Sequence, residues 1–179
     1  MEVTKRFLKS KRACQSGIDY FDSLGKKEWE VVPLLGQLIK DDRLGDANWL
    51  IVRCMEYKQY VSYAVYAAEQ VIEIYEKKYP DNKKPREAIE AAKKCIKDPS
   101  KENKKTAAAA ADAAYAADAA DAAYAAAAAY AAYAADAAVA AYAAYAAYAA
   151  GRKKMQIKIL NYGIKLLKAV KGWKAQSSR

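Results

Sequence analysis

Carboxylates, thiols and cations are the side chains here with chemistry to offer, and their spacing decides which chemistry. Acid pairs occur at Asp41 and Asp42, at Glu87 and Glu90, and at Asp118 and Asp121; two carboxylates held together are what general acid–base work and glycoside hydrolysis require. The same spacing is ordinary on a solvated helix face, and no nucleophile accompanies these pairs. The sequence has no histidine, which removes Ser–His and Cys–His catalysis, imidazole metal ligation and the usual base near neutral pH. Cys14, Cys54 and Cys95 are odd in number, far apart and free of CxxC spacing, so neither a zinc site nor a disulfide framework is indicated, and buried reduced thiols are expected. The 7 glycines are scattered rather than gathered into a phosphate-cradling loop. The chain therefore reads as a binding protein rather than an enzyme, with no metal and no cofactor.

Charge is the stronger signal. The net charge is +10, and it is unevenly placed: residues 152–179 carry nine cations and no acid, whereas residues 106–150 carry four aspartates and no cation. A basic stretch including Arg152, Lys153, Lys154, Lys158 and Lys165 suits a nucleic-acid backbone, with Tyr162 and Trp173 available for stacking. The same residues equally suit a solvated face of a terminal helix lying over the acidic tract. Asp112, Asp118, Asp121 and Asp136 interrupt the one long apolar tract, and the first residues lack a signal-peptide core, so a cytoplasmic protein without membrane association is expected.

Helices must position all of these groups, and no strand pattern appears. With 179 residues, one all-α domain spanning residues 1–179 is expected. Residues 1–55 read as short helices, with Gly17 a weak point in the first, LGKKEWE a loop, Pro33 near a helix start, and Asp46 a cap for a helix carrying Trp49, Leu50, Val52 and Cys54. A long helix is predicted over 56–78, because Val61, Ala64, Val65, Ala68, Val71, Ile72 and Tyr75 fall at three-and-four spacing. Tyr79-Pro80-Asp81-Asn82 stops it. Pro85 then opens a helix over 85–97 with Glu87 and Glu90 early, lysines late, and Ile89, Ala92 and Ile96 inward. An Ala-rich helical region covers 101–150. An amphipathic basic helix closes the chain over 152–171, with Met155, Ile159, Tyr162, Leu166 and Val170 inward.

The Ala-rich region is the least ordinary element. From Ala107 onward non-alanine residues fall at every third position, so each is turned by about 300° from the last on a helix. The choice of residue offsets this drift: Asp118, Asp121 and Asp136 fall in an arc of roughly 180–240° from Asp112, and the tyrosines occupy the other half. Alanine gives high helix propensity and close approach, tyrosine gives apolar area, and the aspartates form a wet ridge. A flat repeated array of the ice-binding kind does not result, since the bulky residues wind around the axis. Tyr57, Tyr60, Tyr63 and Tyr66 repeat the triplet on the long helix, which suggests that the two Tyr/Ala surfaces pack together. As one helix the region would reach roughly 67 Å, against a radius of gyration of about 16 Å for a compact chain of this size. It must therefore fold back on the domain or protrude and form a homo-oligomer.

At YAVYAAEQVIEIYEKKYPDNKKPREAIEAAKKC the sequence resembles the immunity proteins of bacterial polymorphic-toxin systems, in the group described as immunity protein 5-like, which also occurs in phages. The likeness is carried by Tyr66 to Gln70, Tyr79 to Asp81, Pro85 to Ala92 and the tract from Ala107 to Ala150, with Ala13-Cys14, the Trp49 to Arg53 helix and the closing KMQIKIL in accord. The resemblance implies a multi-helix inhibitor that binds and blocks a cognate toxin or effector protein without catalysis. Asp118, Asp121 and Asp136 on the ridge, and Arg86 and Glu87 in the shared motif, are the partner-binding candidates. For Arg86 the alternative is an internal ion pair with Glu69 or Glu73. A nucleic-acid-binding accessory protein using the basic terminal helix, and a structural or phage-associated oligomer, remain the other two functional readings.

Overall fold

The computed structural model describes residues 1–70, 72–115 and 153–169. Among them the chain runs β1 (Glu2–Thr4), α1 (Lys5–Ser10), α2 (Gln15–Ser23), β2 (Glu28–Glu30), α3 (Val31–Lys40), α4 (Leu44–Arg53), α5 (Tyr57–Glu69), α6 (Ile72–Lys78), α7 (Lys84–Lys97), α8 (Lys101–Tyr115) and α9 (Lys153–Lys168). The fold is all-α and multi-helical, as the periodicity required.

The one departure from helix is small. β1 and β2 pair antiparallel with Val3 opposite Trp29, where a loop was expected from LGKKEWE. Val3 and Trp29 share the inward side, and Val3 is fully buried; Glu2, Glu28 and Glu30 stay exposed. Alternation over three residues is too short to register as a period-two pattern, so partner rather than sequence defines this ribbon.

The core is apolar and continuous. Leu8, Ile18 and Phe21 from α1 and α2 meet Leu34, Leu35 and Leu38 of α3 and Leu50, Ile51 and Val52 of α4. α9 lies against α5, α4 and α3, and α7 joins α5 to α8. In α5, Tyr60, Val61, Tyr63, Ala64, Val65, Ala67 and Ala68 are buried, a face wider than the predicted stripe because tyrosine at every third position sweeps around the helix. Gln59 secures its start twice: Oε1 accepts the Glu56 N–H at 2.9 Å, and Nε2 donates to the Leu166 carbonyl of α9 at 2.7 Å. Tyr63 donates to Asn48 Oδ1 at 2.8 Å, which supplies the buried amide with a partner.

Several expectations need correction. The single helix over 56–78 is two, α5 and α6, divided at Gln70; the β-branched run Val71, Ile72 and Ile74 lowers helix propensity just there. Val71 and the side chain of Tyr75 lie outside what is described, and the remaining predicted stripe is buried. Gly17 sits inside α2 rather than at a break. α4 begins at Leu44, so Asp46 lies in its first turn instead of at the cap. Ile96 is only half-buried, and Cys95, Ala88 and Ala91 take its place on the inner face of α7. On α9 the buried residues are Ile159, Leu160, Gly163 and Leu167, so the inward face is rotated from the predicted line of Met155, Tyr162 and Leu166, which are half-buried; Val170 lies outside the described residues. Cys95 is buried, Cys54 partly so, and Cys14 exposed.

The expected pairing of Tyr/Ala surfaces falls mostly on residues outside those described. Ala107 and Ala111 are fully buried in α8, which packs along α7. Contact with the tyrosines of α5 comes through Lys104, whose ammonium stands 4.8 Å from the Tyr57 ring centroid. The tract beyond Tyr115 lies outside the described residues.

Candidate functional site

Two helix endings with unusual residues flank a concavity. α1 closes with Ala13 N–H on the Leu8 carbonyl and Arg12 N–H on that of Lys9; α3 closes the same way, Arg43 to Leu38 and Asp42 to Ile39. This bond pair places the residue after the cap in the left-handed region, where glycine is preferred. Here those residues are Arg12 (φ 58°) and Asp42 (φ 59°). A non-glycine residue there costs roughly 1–2 kcal/mol, less for aspartate.

Between these endings lies a cleft of about 240 Å³. Leu8, Phe21, Leu34, Leu38 and Leu50 form its floor, with Trp49 on its wall and Arg12, Ala13, Cys14, Tyr20 and Asp46 around it. The rim is largely paired with itself. Asp41 Oδ2 accepts from Tyr20 Oη at 2.7 Å and from Gln37 Nε2 at 2.8 Å. The Arg43 guanidinium stacks on the Tyr20 ring at 4.4 Å, donates to Asp46 Oδ2 through Nε at 2.6 Å, and reaches the Ser16 carbonyl at 3.3 Å. Burial first, then the Asp41 carboxylate, pushes the Tyr20 phenol up to about 12; the Gln37 amide, then the Tyr20 hydroxyl, holds Asp41 below its usual range. Both therefore stay in one protonation state near neutral pH.

Cys14 stands at the start of α2. Its thiol lies 3.4 Å from Ser16 Oγ, and the Ser16 hydroxyl, then the Gly17 N–H, draws its pKa below the ordinary thiol value. No base is poised beside it: Asp46 is committed to Arg43, and Tyr20 to Asp41. Taken together these groups make an apolar recess whose α3–α4 edge is hydrogen-bonded and ion-paired within the chain.

The residues singled out in the sequence lie elsewhere. Arg86 meets Glu76, with Nε to Oε1 at 2.8 Å and Nη2 to Oε2 at 2.5 Å, so it has an internal partner, though not Glu69 or Glu73. Glu87 is exposed in the first turn of α7. Lys153 reaches Asp42 at 2.8 Å across a pair in which both side chains are 60% exposed. Lys154, Lys158 and Lys165 are exposed along α9. Asp118, Asp121, Asp136 and Arg152 lie outside the described residues. Of the contact candidates, the described ones, Arg86, Glu87, Lys153, Lys154, Lys158 and Lys165, do not line the cleft. Its signal in the sequence was weak: Cys14 read as a core thiol, and Arg12 stands where a helix stop ordinarily shows glycine.

Among the described residues no group of three or more His, Cys, Asp or Glu side chains is arranged to hold a metal ion, and no helix is long and apolar enough to cross a membrane. The chain matches no protein-family model, no curated protein and no solved structure.

Proposed function

We propose that this chain is a non-catalytic binding protein of the immunity type, which neutralises a toxin or other effector protein in the cytoplasm by occupying it. The observation that carries the reading is the cleft between α1–α2 and α3–α4: an apolar floor beside which Tyr20 and Asp46 of the lining are already engaged, with Asp41 and Arg43. A recess of this kind receives an anchoring side chain at little desolvation cost, since its rim groups keep their partners when covered. The resemblance at Tyr79 to Asp81 and Pro85 to Ala92 supports the same class.

The basic face of α9 favours a second reading, nucleic-acid binding through exposed Lys154, Lys158 and Lys165. Of its two aromatic candidates, Tyr162 is already engaged, stacked on Tyr66 with centroids 4.0 Å apart and planes 15° apart, and Trp173 lies outside the described residues. The protein-binding reading is therefore preferred. Native pull-down followed by reconstitution tests it: one stoichiometric protein is expected, with its toxic or effector activity abolished near one-to-one mixing. Recovery of nucleic acid, of ordered copies of this chain alone, or of a protein whose activity is unchanged would overturn it.

A further inference from the structure

We infer that the cleft receives one large apolar side chain presented by an acidic segment of the partner protein, an inference that rests on the protein-binding reading above.

Size limits the occupant first. A cavity of about 150 Å³ holds a benzene-sized group, and sites for drug-sized molecules begin near 300 Å³; the cleft, at about 240 Å³, fits a phenylalanine or leucine side chain with little to spare. Its floor of leucines and Phe21 offers no hydrogen bond that a polar occupant would need. The wall adds Trp49, whose ring is held by the Arg53 guanidinium 4.1 Å from its centroid, so an aromatic surface stands ready beside the recess without first having to be ordered.

Charge limits the occupant next. On the α3–α4 side Asp46 is paired with Arg43, while Asp41, which does not line the cleft, keeps its charge and is hydrogen-bonded by Tyr20 and Gln37. On the α1 side Lys9, Lys11 and Arg12 are exposed and make no ion pair among the described residues; Lys11 has only the Phe7 ring, at 6.0 Å. Arg12 is part of the mouth itself. Of the charged side chains that line the opening, Asp46 is paired with Arg43 and Arg12 makes no ion pair among the described residues, so the lining itself is positive, and carboxylates next to the anchoring residue complete it. A second copy of this chain is a poor occupant, because a net charge of +10 opposes self-association at a basic mouth.

The test uses the full chain, labelled with nitrogen-15, and the blocked peptide Glu-Asp-Phe-Asp-Glu. Amide shifts are expected at Arg12, Ala13 and Gly17 and at the Trp49 indole, with saturation. Peptides with serine in place of phenylalanine, or lysine in place of the acids, should bind at least tenfold more weakly, as should the first peptide to the Arg12→Glu protein. Ala13→Phe, which fills the recess from its own wall, should abolish the shifts. If Ala13→Phe does not fold, Arg12→Glu, an exposed change, still decides the matter. Shifts elsewhere or none, equal binding of the lysine peptide, or equally tight binding of 3-phenylpropionate at the same amides would overturn the inference. Should a partner from the pull-down still bind the Arg12→Glu and Ala13→Phe proteins with unchanged affinity, this inference fails while the protein-binding reading stands.

Discussion

Arg86 shows how a cation that reads as a partner contact in the sequence is spent inside the chain. The Glu76 carboxylate takes two hydrogen bonds from it, and the Arg86 guanidinium holds the Glu76 carboxyl below its usual range. A carboxyl whose folded pKa lies below its unfolded value, about 4.3 for glutamate, contributes stability that is complete above the unfolded value and is lost as pH falls through the folded one. With Arg86 38% and Glu76 26% exposed, solvent screening keeps the contribution under about 1 kcal/mol. Glu76→Gln should therefore lower the urea midpoint at pH 7, and the gap to the parent protein should shrink as pH falls below the ordinary glutamate value. A gap unchanged over that fall in pH would show that the carboxylate charge is not what the pair supplies.

Gly163 marks the level at which the elements became legible and the level at which they did not. The helical character of these segments was readable, though not the division of α5 from α6: the three-and-four spacing in α5, Pro85 opening α7, and alternating lysines and apolar residues in α9 are local signals that need no partner. The rotation of α9 was not readable, because it depends on what the helix meets. A Cβ on Gly163 would lie 2.6 Å from Ile51 Cδ1 and 2.7 Å from Tyr63 Cε2; the missing side chain lets α9 approach α4 and α5 closely and turns Leu160 and Leu167 inward with it. Tyr63 has little room to withdraw, since it is fully buried and its hydroxyl is fixed on Asn48. Gly163→Ala gains helix propensity of about 1 kcal/mol, yet overpacking costs roughly 1–3 kcal/mol. Destabilisation is expected in thermal or urea unfolding; an unchanged or raised midpoint would mean that the contact relaxes without cost. The cleft escaped the sequence for a related reason. Its floor is assembled from α1, α2, α3 and α4, and within each of them those residues look like ordinary core.

For the molecule as a whole, charge separates the two functional readings, and the fold dictates how the comparison must be made. Removing the basic C-terminal segment is not a clean test of nucleic-acid binding, because Ile159, Leu160 and Leu167 of α9 belong to the buried core and their loss would unfold the chain. Reversing exposed charges leaves that core intact. A protein of net charge +10 docking on an acidic partner is steered by long-range attraction, so its association rate should fall about tenfold or more as ionic strength rises from low to near-physiological values, with a much smaller change in dissociation. Lys9→Glu with Lys11→Glu should reproduce that loss at low salt, whereas Lys154→Glu, Lys158→Glu and Lys165→Glu together should leave it nearly unchanged. Nucleic-acid binding reverses the pattern: the triple change on α9 would remove a salt-sensitive gel shift, and the α1 pair would matter less. Stopped-flow association and gel shifts on the same variants thus assign the working face to α1 or to α9.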